Sequence, residues 1–228
     1  TMWGTIWNME QKKKYSISHP DLYPTIAILD GNLTLTLPLN ISITTVMDAL
    51  SHSLEAIWNK NATEISNTFA IQAICQIIKD IDKFKKNPSN LEVRTNLLNA
   101  STTAGLAFSK TTTAAAHSIS YPLTIHYKIP HGVASSITLL PLLEINKKFI
   151  KKPLNIICNN LGLSFNEFKQ IIKSIPKNII PFNLQDWDVP KNQLNKLALE
   201  SFTKGRMDNN IVDLSKNEVL TILNKVYN

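Results

Sequence analysis

The chain has 228 residues, with 43% hydrophobic and 18% charged residues and a formal net charge of +7. It is long enough to bury a sizeable core as one large domain or two small ones, and its composition is that of an ordinary globular protein. No apolar run reaches the roughly 18–20 residues that span a bilayer, so no transmembrane helix is expected.

The N-terminus lacks the charged, apolar and small-residue order of a signal peptide. Cys75 and Cys158 lie far apart in the chain. Together these features lead to the expectation of reduced thiols and a cytoplasmic location. The excess of positive charge is dispersed in short clusters, Lys12-Lys13-Lys14, Lys85-Lys86 and Lys147-Lys148 with Lys151-Lys152. Such clusters read as solvated helix ends and turns, and no nucleic-acid partner is expected.

In chain order, residues 1–8 and 23–29 are rich in β-branched and aromatic side chains, with turn chemistry at His19-Pro20 and Tyr23-Pro24. They read as short extended segments. From Leu39 onward the pattern becomes helical. Thr44 or Thr45 can cap a helix running to about residue 59, with Leu50, Leu54 and Ile57 as its apolar stripe. Thr63 or Ser66 opens the next, which carries Phe69, Ile74, Ile77, Ile78 and Ile81 to the breaker Asn87-Pro88. A third spans about 91–108 and is followed by the small-residue segment 111–116. Further helices are predicted at about 132–147, 150–161, 165–174, 191–203 and 215–226, punctuated by Pro176, Pro181 and Pro190. There is no internal repeat. The fold class expected is mainly α, eight or nine helices with a short β-rich lead-in.

The chemistry-bearing residues concentrate in two places. Asp48 and His52 sit i,i+4 on one predicted helix face, where Cβ atoms lie roughly 5–6 Å apart. His117 and His131 follow in Ala115-Ala116-His117 and Ile129-Pro130-His131-Gly132. One carboxylate and three neutral imidazoles suit a divalent ion and leave a residual charge of +1, which fits a Lewis acid acting on a carbonyl. Nitrogen-rich donor sets do not separate Fe²⁺ from Zn²⁺, Co²⁺ or Ni²⁺. Taken singly, Asp48 and His52 read equally as a helix-surface pair, His117 as a core histidine, and His131 as a helix cap. Glu55, a turn beyond the pair, either orients a ligand or forms a local ion pair. His126 reads as a solvent or cleft residue, and His19 as a turn residue. Residues 111–113 offer three threonine hydroxyls to line a cleft or to cap a helix.

The run Ala27-Ile28-Leu29-Asp30, Pro38, Ile43, Thr45, Asp48-Ala49-Leu50 and Glu55 resembles the first signature of the iron-containing (group III) alcohol dehydrogenases. The stretch from His117 to Pro130-His131-Gly132-Val133-Ala134 is similar to the second. Gly205-Arg206-Met207-Asp208-Asn209-Asn210 through Val226-Tyr227 resembles the family's C-terminal end, so the likeness covers essentially the whole chain. Within the family, Thr1-Met2-Trp3-Gly4-Thr5-Ile6-Trp7-Asn8, Lys13-Lys14-Tyr15-Ser16 and Ala116-His117-Ser118-Ile119-Ser120-Tyr121-Pro122-Leu123-Thr124 look like the phosphonoacetaldehyde reductase branch. Tyr121 stands where many members carry a histidine, and Ile125 where a small residue is usual.

The resemblance implies the C-terminal helical domain of the dehydroquinate synthase-like fold, with Asp48, His52, His117 and His131 as ligands to Fe²⁺ or Zn²⁺. It implies NAD(P)-dependent interconversion of a small alcohol and aldehyde, with phosphonoacetaldehyde as one such substrate, and it permits a homodimer. Tyr121 is the catalytic candidate. Lys13 and Lys14 either meet an anionic substrate group or form a solvated turn. The six glycines, at 4, 31, 105, 132, 162 and 205, form no phosphate-cradling cluster. Residues 1–38 are accordingly read as the remnant of a cofactor-binding α/β domain and 39–228 as an all-α metal-binding domain. No residue of the chain is assigned to NAD(P)H, and a separately encoded cofactor domain is the expected partner. A catalytically silent remnant with a scaffold or partner-binding role is the alternative. A lyase of the dehydroquinate synthase type ranks below both, because its usual ligand set differs.

Overall fold

The apolar spacing along 39–57 makes the first helix, and its surroundings explain the rest. The computed structural model describes residues 2–8, 10–11 and 13–228, with only the backbone of Trp3, Trp7, Lys13 and Lys14. α1 (Leu39–Ile57) buries Ile43, Met47, Leu50, Leu54 and Ile57 together with Ser51, Ser53 and Glu55, so it is enclosed on nearly every side over its second half. α2 (Glu64–Lys86) and α3 (Leu91–Thr111) form a helical hairpin that packs on α1 and on each other. α2 opens on a reciprocal capping box, in which Thr63 accepts from the Ser66 N–H and Ser66 Oγ accepts from the Thr63 N–H. Both candidate openers are therefore used.

Two boundaries differ from expectation. α1 begins at Leu39, ahead of Thr44 and Thr45. Their hydroxyls do not cap a terminus; they donate within the helix to the carbonyls of Asn40 (2.8 Å) and Ser42 (2.9 Å). α4 (Ala115–Tyr127) is a helix where none was predicted. Pro122 lies inside it and argues against helix in the sequence, since proline removes one ladder hydrogen bond and crowds the preceding turn. Burial of Ala115, Ala116, Ile119 and Leu123 outweighs that cost.

The remaining helices follow their predicted spans closely. The stretch 132–147 divides into α5 (His131–Ala134) and α6 (Leu139–Asn146); α7 (Lys151–Leu161) and α8 (Phe165–Ser174) match; α9 (Leu194–Glu200) follows a 3₁₀ turn; α10 (Lys216–Lys225) closes the chain. Among the described residues these ten helices are the bulk, and the fold is mainly α. The only sheet among them is one antiparallel hairpin, β1 (Trp3–Asn8) with β2 (Lys13–Ser18), in which Thr5 faces Ser16 and Ile6 faces Tyr15. Residues 23–29, read as extended, form no strand there. Arg94, almost wholly buried, donates to the carbonyls of Thr34, Leu37 and Pro88 and so pins the lead-in against α3. No helix among the described residues is long and apolar enough to cross a membrane.

Candidate metal centre

The i,i+4 spacing puts Asp48 and His52 on one face of α1, and Glu55 follows a turn later, fully buried. α4 brings His117 against them from its first turn. α5 starts at His131, and Pro130 before it is the N-cap, its carbonyl accepting from the Val133 and Ala134 N–H groups at 2.9 Å. The three imidazoles converge on the Asp48 carboxylate. His52 Nδ1 lies 3.8 Å from Oδ2, while His117 Nε2 and His131 Nε2 lie 3.6 and 3.8 Å from Oδ1. The rings of His52 and His117 stack at 4.5 Å between centroids, and His131 meets His117 edge-on at 5.2 Å.

This donor set fits a divalent cation. Ligands held about 2.0–2.2 Å from a common ion stand no more than about 4.4 Å apart, and all three nitrogens are within that range of the carboxylate. Donor atoms of Asp48, His52 and His117 all lie within 4.8 Å of one another. His131 meets Asp48 at the same distance but falls outside that mutually close trio, which makes it the outlying member. His117 Nε2 is buried without a hydrogen-bond partner and faces the carboxylate, as a nitrogen reserved for an ion does.

A second layer orients these groups. Glu55 Oε1 accepts from the His117 backbone N–H at 3.1 Å, and its Oε2 takes His117 Nδ1 at 2.5 Å. Of the two readings of Glu55, the structure selects orientation of His117. By receiving Nδ1–H it turns Nε2 toward the cluster, where loss of the Nε2 proton would free a lone pair for an ion. Ser135 donates to Asp48 Oδ1 at 2.7 Å, and Ser51 donates to the Ser135 carbonyl at 2.7 Å. Phe108 stacks on the outer face of His52 at 4.1 Å. Ser135 and Phe108 carry no sequence signal, being an ordinary serine and an ordinary core aromatic.

Electrostatics follow from burial and from these contacts. Burial opposes charging of His117, but Glu55 and Asp48 outweigh it and hold its pKa up at about 10, so an ion taking Nε2 would displace a proton from it. Burial pushes His52 down to about 4 despite the pull of Asp48. Burial also works against ionisation of Asp48 and Glu55, yet the adjoining imidazoles hold both carboxyls below the usual range. Both carboxyls are thus anionic. The +1 counted from the ligands omits Glu55; with it, a divalent ion would make the buried assembly neutral, removing the largest objection to burying these charges.

A cavity of about 590 Å³ has α4 in its wall, with none of the four cluster residues among those that line it. Tyr121, one turn beyond His117 on α4, lines it with Arg206, Lys204, Thr203 and Tyr15. Arg206 Nε donates to Tyr121 Oη at 3.2 Å. His126 is in the wall, 2.7 Å from Glu200. Of the threonines at 111–113, Thr112 is the C-cap of α3 through its backbone N–H, while the hydroxyls of Thr111 and Thr112 bond elsewhere. Thr112 Oγ1 accepts from Asn209 Nδ2 at 2.8 Å, and Thr111 donates to the Thr112 carbonyl. The side chains of Lys13 and Lys14, read as meeting an anionic group, lie outside the described residues, as does Thr1. The cationic side chains that line the cavity are Arg206 and Lys204, to which sequence reasoning gave no role.

A helical domain with an imidazole-rich, single-carboxylate cluster where three helices meet defines a class of candidate metal-dependent proteins. Residues 42–227 match the model of the Fe-containing alcohol dehydrogenase family, C-terminal, so the chain belongs to the iron-containing alcohol dehydrogenase family. It is 27% identical over 201 residues to long-chain-alcohol dehydrogenase 1 of Geobacillus thermodenitrificans, covering 84% of this chain and 51% of that protein. It is also 27% identical over 233 residues to alcohol dehydrogenase 4 of Saccharomyces cerevisiae, covering 100% of this chain and 61% of the relative. The crystal structure of sulfoacetaldehyde reductase from Bifidobacterium kashiwanohense in complex with NAD⁺ superposes with a TM-score of 0.90 at 28% identity, covering 99% of this chain and 60% of that one. The chain thus spans between about half and three fifths of the length of these relatives.

Proposed function

We propose that this chain is the metal-binding, substrate-side half of an NAD(P)-dependent alcohol dehydrogenase or aldehyde reductase. The observation that carries the reading is the convergence of three imidazoles on Asp48, with His117 Nε2 buried and turned toward the carboxylate. Asp48, His52, His117 and His131 would hold the ion, Fe²⁺ by family expectation and Zn²⁺ as the main competitor. When bound, it supplies a Lewis acid that polarises a carbonyl or stabilises an alkoxide. Glu55 and Ser135 keep the His117 and Asp48 donors aimed, so little reorganisation accompanies loading. Tyr121 is the candidate for carrying the proton at Oη, one turn from His117 and set in place by Arg206.

The substrate reading is a small aldehyde with an anionic tail. Arg206 and Lys204 line the cavity, while its one acidic wall residue, Glu200, is engaged by His126 and faces Lys196 at 3.9 Å. Phosphonoacetaldehyde, from the branch resemblance, has that chemistry, and the similar crystal structure is that of a sulfoacetaldehyde reductase. Residues 1–38 belong in this reading to a cofactor-binding α/β domain whose glycine-rich phosphate turn is not among these 228 residues. A separately encoded partner and a homodimer remain part of the proposal. The second reading is a catalytically silent scaffold.

Metal analysis separates them. One divalent ion per chain is expected, lost in His117→Ala and in His131→Ala; substoichiometric metal indifferent to either change rejects the enzyme reading. With NADH or NADPH the chain alone is expected to show no turnover, and measurable reduction of an aldehyde would refute the assignment of the cofactor site to residues outside it.

A further inference from the structure

We infer that Asn209 is a positioning residue for the metal centre, acting by holding the corner between α3 and α4 in a backbone conformation that Thr112 disfavours. The inference rests on reading the Asp48 cluster as a metal centre. Thr112 has φ 60° and ψ −176°, a region occupied almost only by glycine and costly for a β-branched residue. Such a conformation persists only where its surroundings over-determine it.

The surroundings are specific. The Thr112 N–H donates to the Phe108 carbonyl at 2.8 Å, and Asn59 Nδ2 donates to the Thr112 carbonyl at 3.2 Å. Asn209 Nδ2 reaches Thr112 Oγ1 at 2.8 Å, the Thr113 carbonyl at 2.9 Å and the Gly205 carbonyl at 2.8 Å, so its two hydrogens are shared among three acceptors, two of them on the strained residue and its neighbour. The backbone of the same segment is bolted to the end of α1. The Asn209 carbonyl accepts from the Lys60 N–H and the Ile211 N–H donates to the Trp58 carbonyl, each at 2.8 Å.

Asn209 therefore ties the end of the helix that carries Asp48, His52 and Glu55 to the corner from which α4 departs. α4 starts at Ala115 with no side-chain cap, and His117 is its third residue. Its direction at that end depends on Glu55 and on this corner. Were Thr112 to relax to an ordinary conformation, the first turn of α4 would be redirected and His117 Nε2 carried off the Asp48 carboxylate. A residue more than ninety positions distant in sequence thus sets the spacing between ligands on two helices.

Titration with Co²⁺, whose visible absorption reports its coordination, tests this. Asn209→Ala should bind Co²⁺ at least tenfold more weakly than the parent chain, the range seen when groups supporting ligands are removed. Thr112→Gly should bind within about threefold of the parent, because glycine adopts this backbone without restraint, and Thr112→Ala should be at least tenfold weaker. Asn209→Ala combined with Thr112→Gly should recover most of the lost affinity. A corner that merely packs would make glycine no better than alanine. Glycine binding no tighter than alanine at 112, or Asn209→Ala binding like the parent, overturns the inference. A parent chain that takes up no Co²⁺ overturns the metal-centre reading itself, and this inference with it.

Discussion

Gly132 shows how closely single residues constrain the site. A Cβ built there would fall 2.3 Å from the Thr44 carbonyl oxygen, so α5 meets the backbone of α1 one turn before Asp48 only because residue 132 has no side chain. Gly132→Ala should force α5 and His131 outward. The cost expected is that of overpacking, about 1–3 kcal/mol, read as a lower urea midpoint together with weaker metal binding; an unchanged midpoint would refute this account. At this scale the four cluster residues were legible. Histidines are scarce in the chain, and spacing alone placed Asp48 and His52 on one face. Glu55 was legible as a candidate, but its choice of His117 over a local ion pair required the fold. Ser135 was not legible at all, because its partner Asp48 lies 87 positions away.

Helix ends were read best where a short polar motif closes on itself. Ser215 accepts from the Glu218 N–H at 3.3 Å, and Glu218 Oε2 accepts from the Ser215 N–H at 2.7 Å, a capping box that starts α10. Ser164 and Glu167 do the same for α8. Ser215→Ala should destabilise the protein by about 1 kcal/mol in denaturant unfolding. Ser215 holds the Glu218 carboxyl below its ordinary value of 4.5. Its contribution to stability is therefore present above pH 4.5 and lost as the pH falls through the lower folded value. Glu218→Gln should remove that part of the acid-side slope and leave the rest. The helix that carries His117 was missed for the opposite reason. Pro122 is a strong local breaker signal, whereas the burial that overrides it is a property of the neighbours packed around α4.

For the whole molecule, the α1–α3 core and the cluster are coupled, because α1 contributes both buried apolar side chains and two of the four candidate ligands. Saturation with a divalent ion should raise the thermal midpoint in proportion to the logarithm of free metal, worth about 2.7 kcal/mol at one hundred times Kd. A chelator should reverse it, and a midpoint indifferent to both would exclude tight binding to the folded state. The lead-in behaves differently. Ile26, Ile28 and Leu33 are 77%, 84% and 77% exposed, and residues 23–29 have no sheet partner among the described residues. That much exposed apolar surface outside any α-helix or strand agrees with the proposal that 1–38 belongs with further α/β structure.

Most of the helices, most of their limits and the Asp48–His52 pair were written in local patterns, since capping, apolar period and i,i+4 spacing act over a few positions, whereas His117 and His131 joined that pair through the family resemblance. What only the tertiary structure decided is how separated pieces meet: the turn of His117 by Glu55, the grip of Asn209 on Thr112, and the cavity walled by Arg206 and Tyr121. Those contacts join positions 62 to 97 residues apart, and no local regularity in a chain encodes which distant backbone will come to lie beside it.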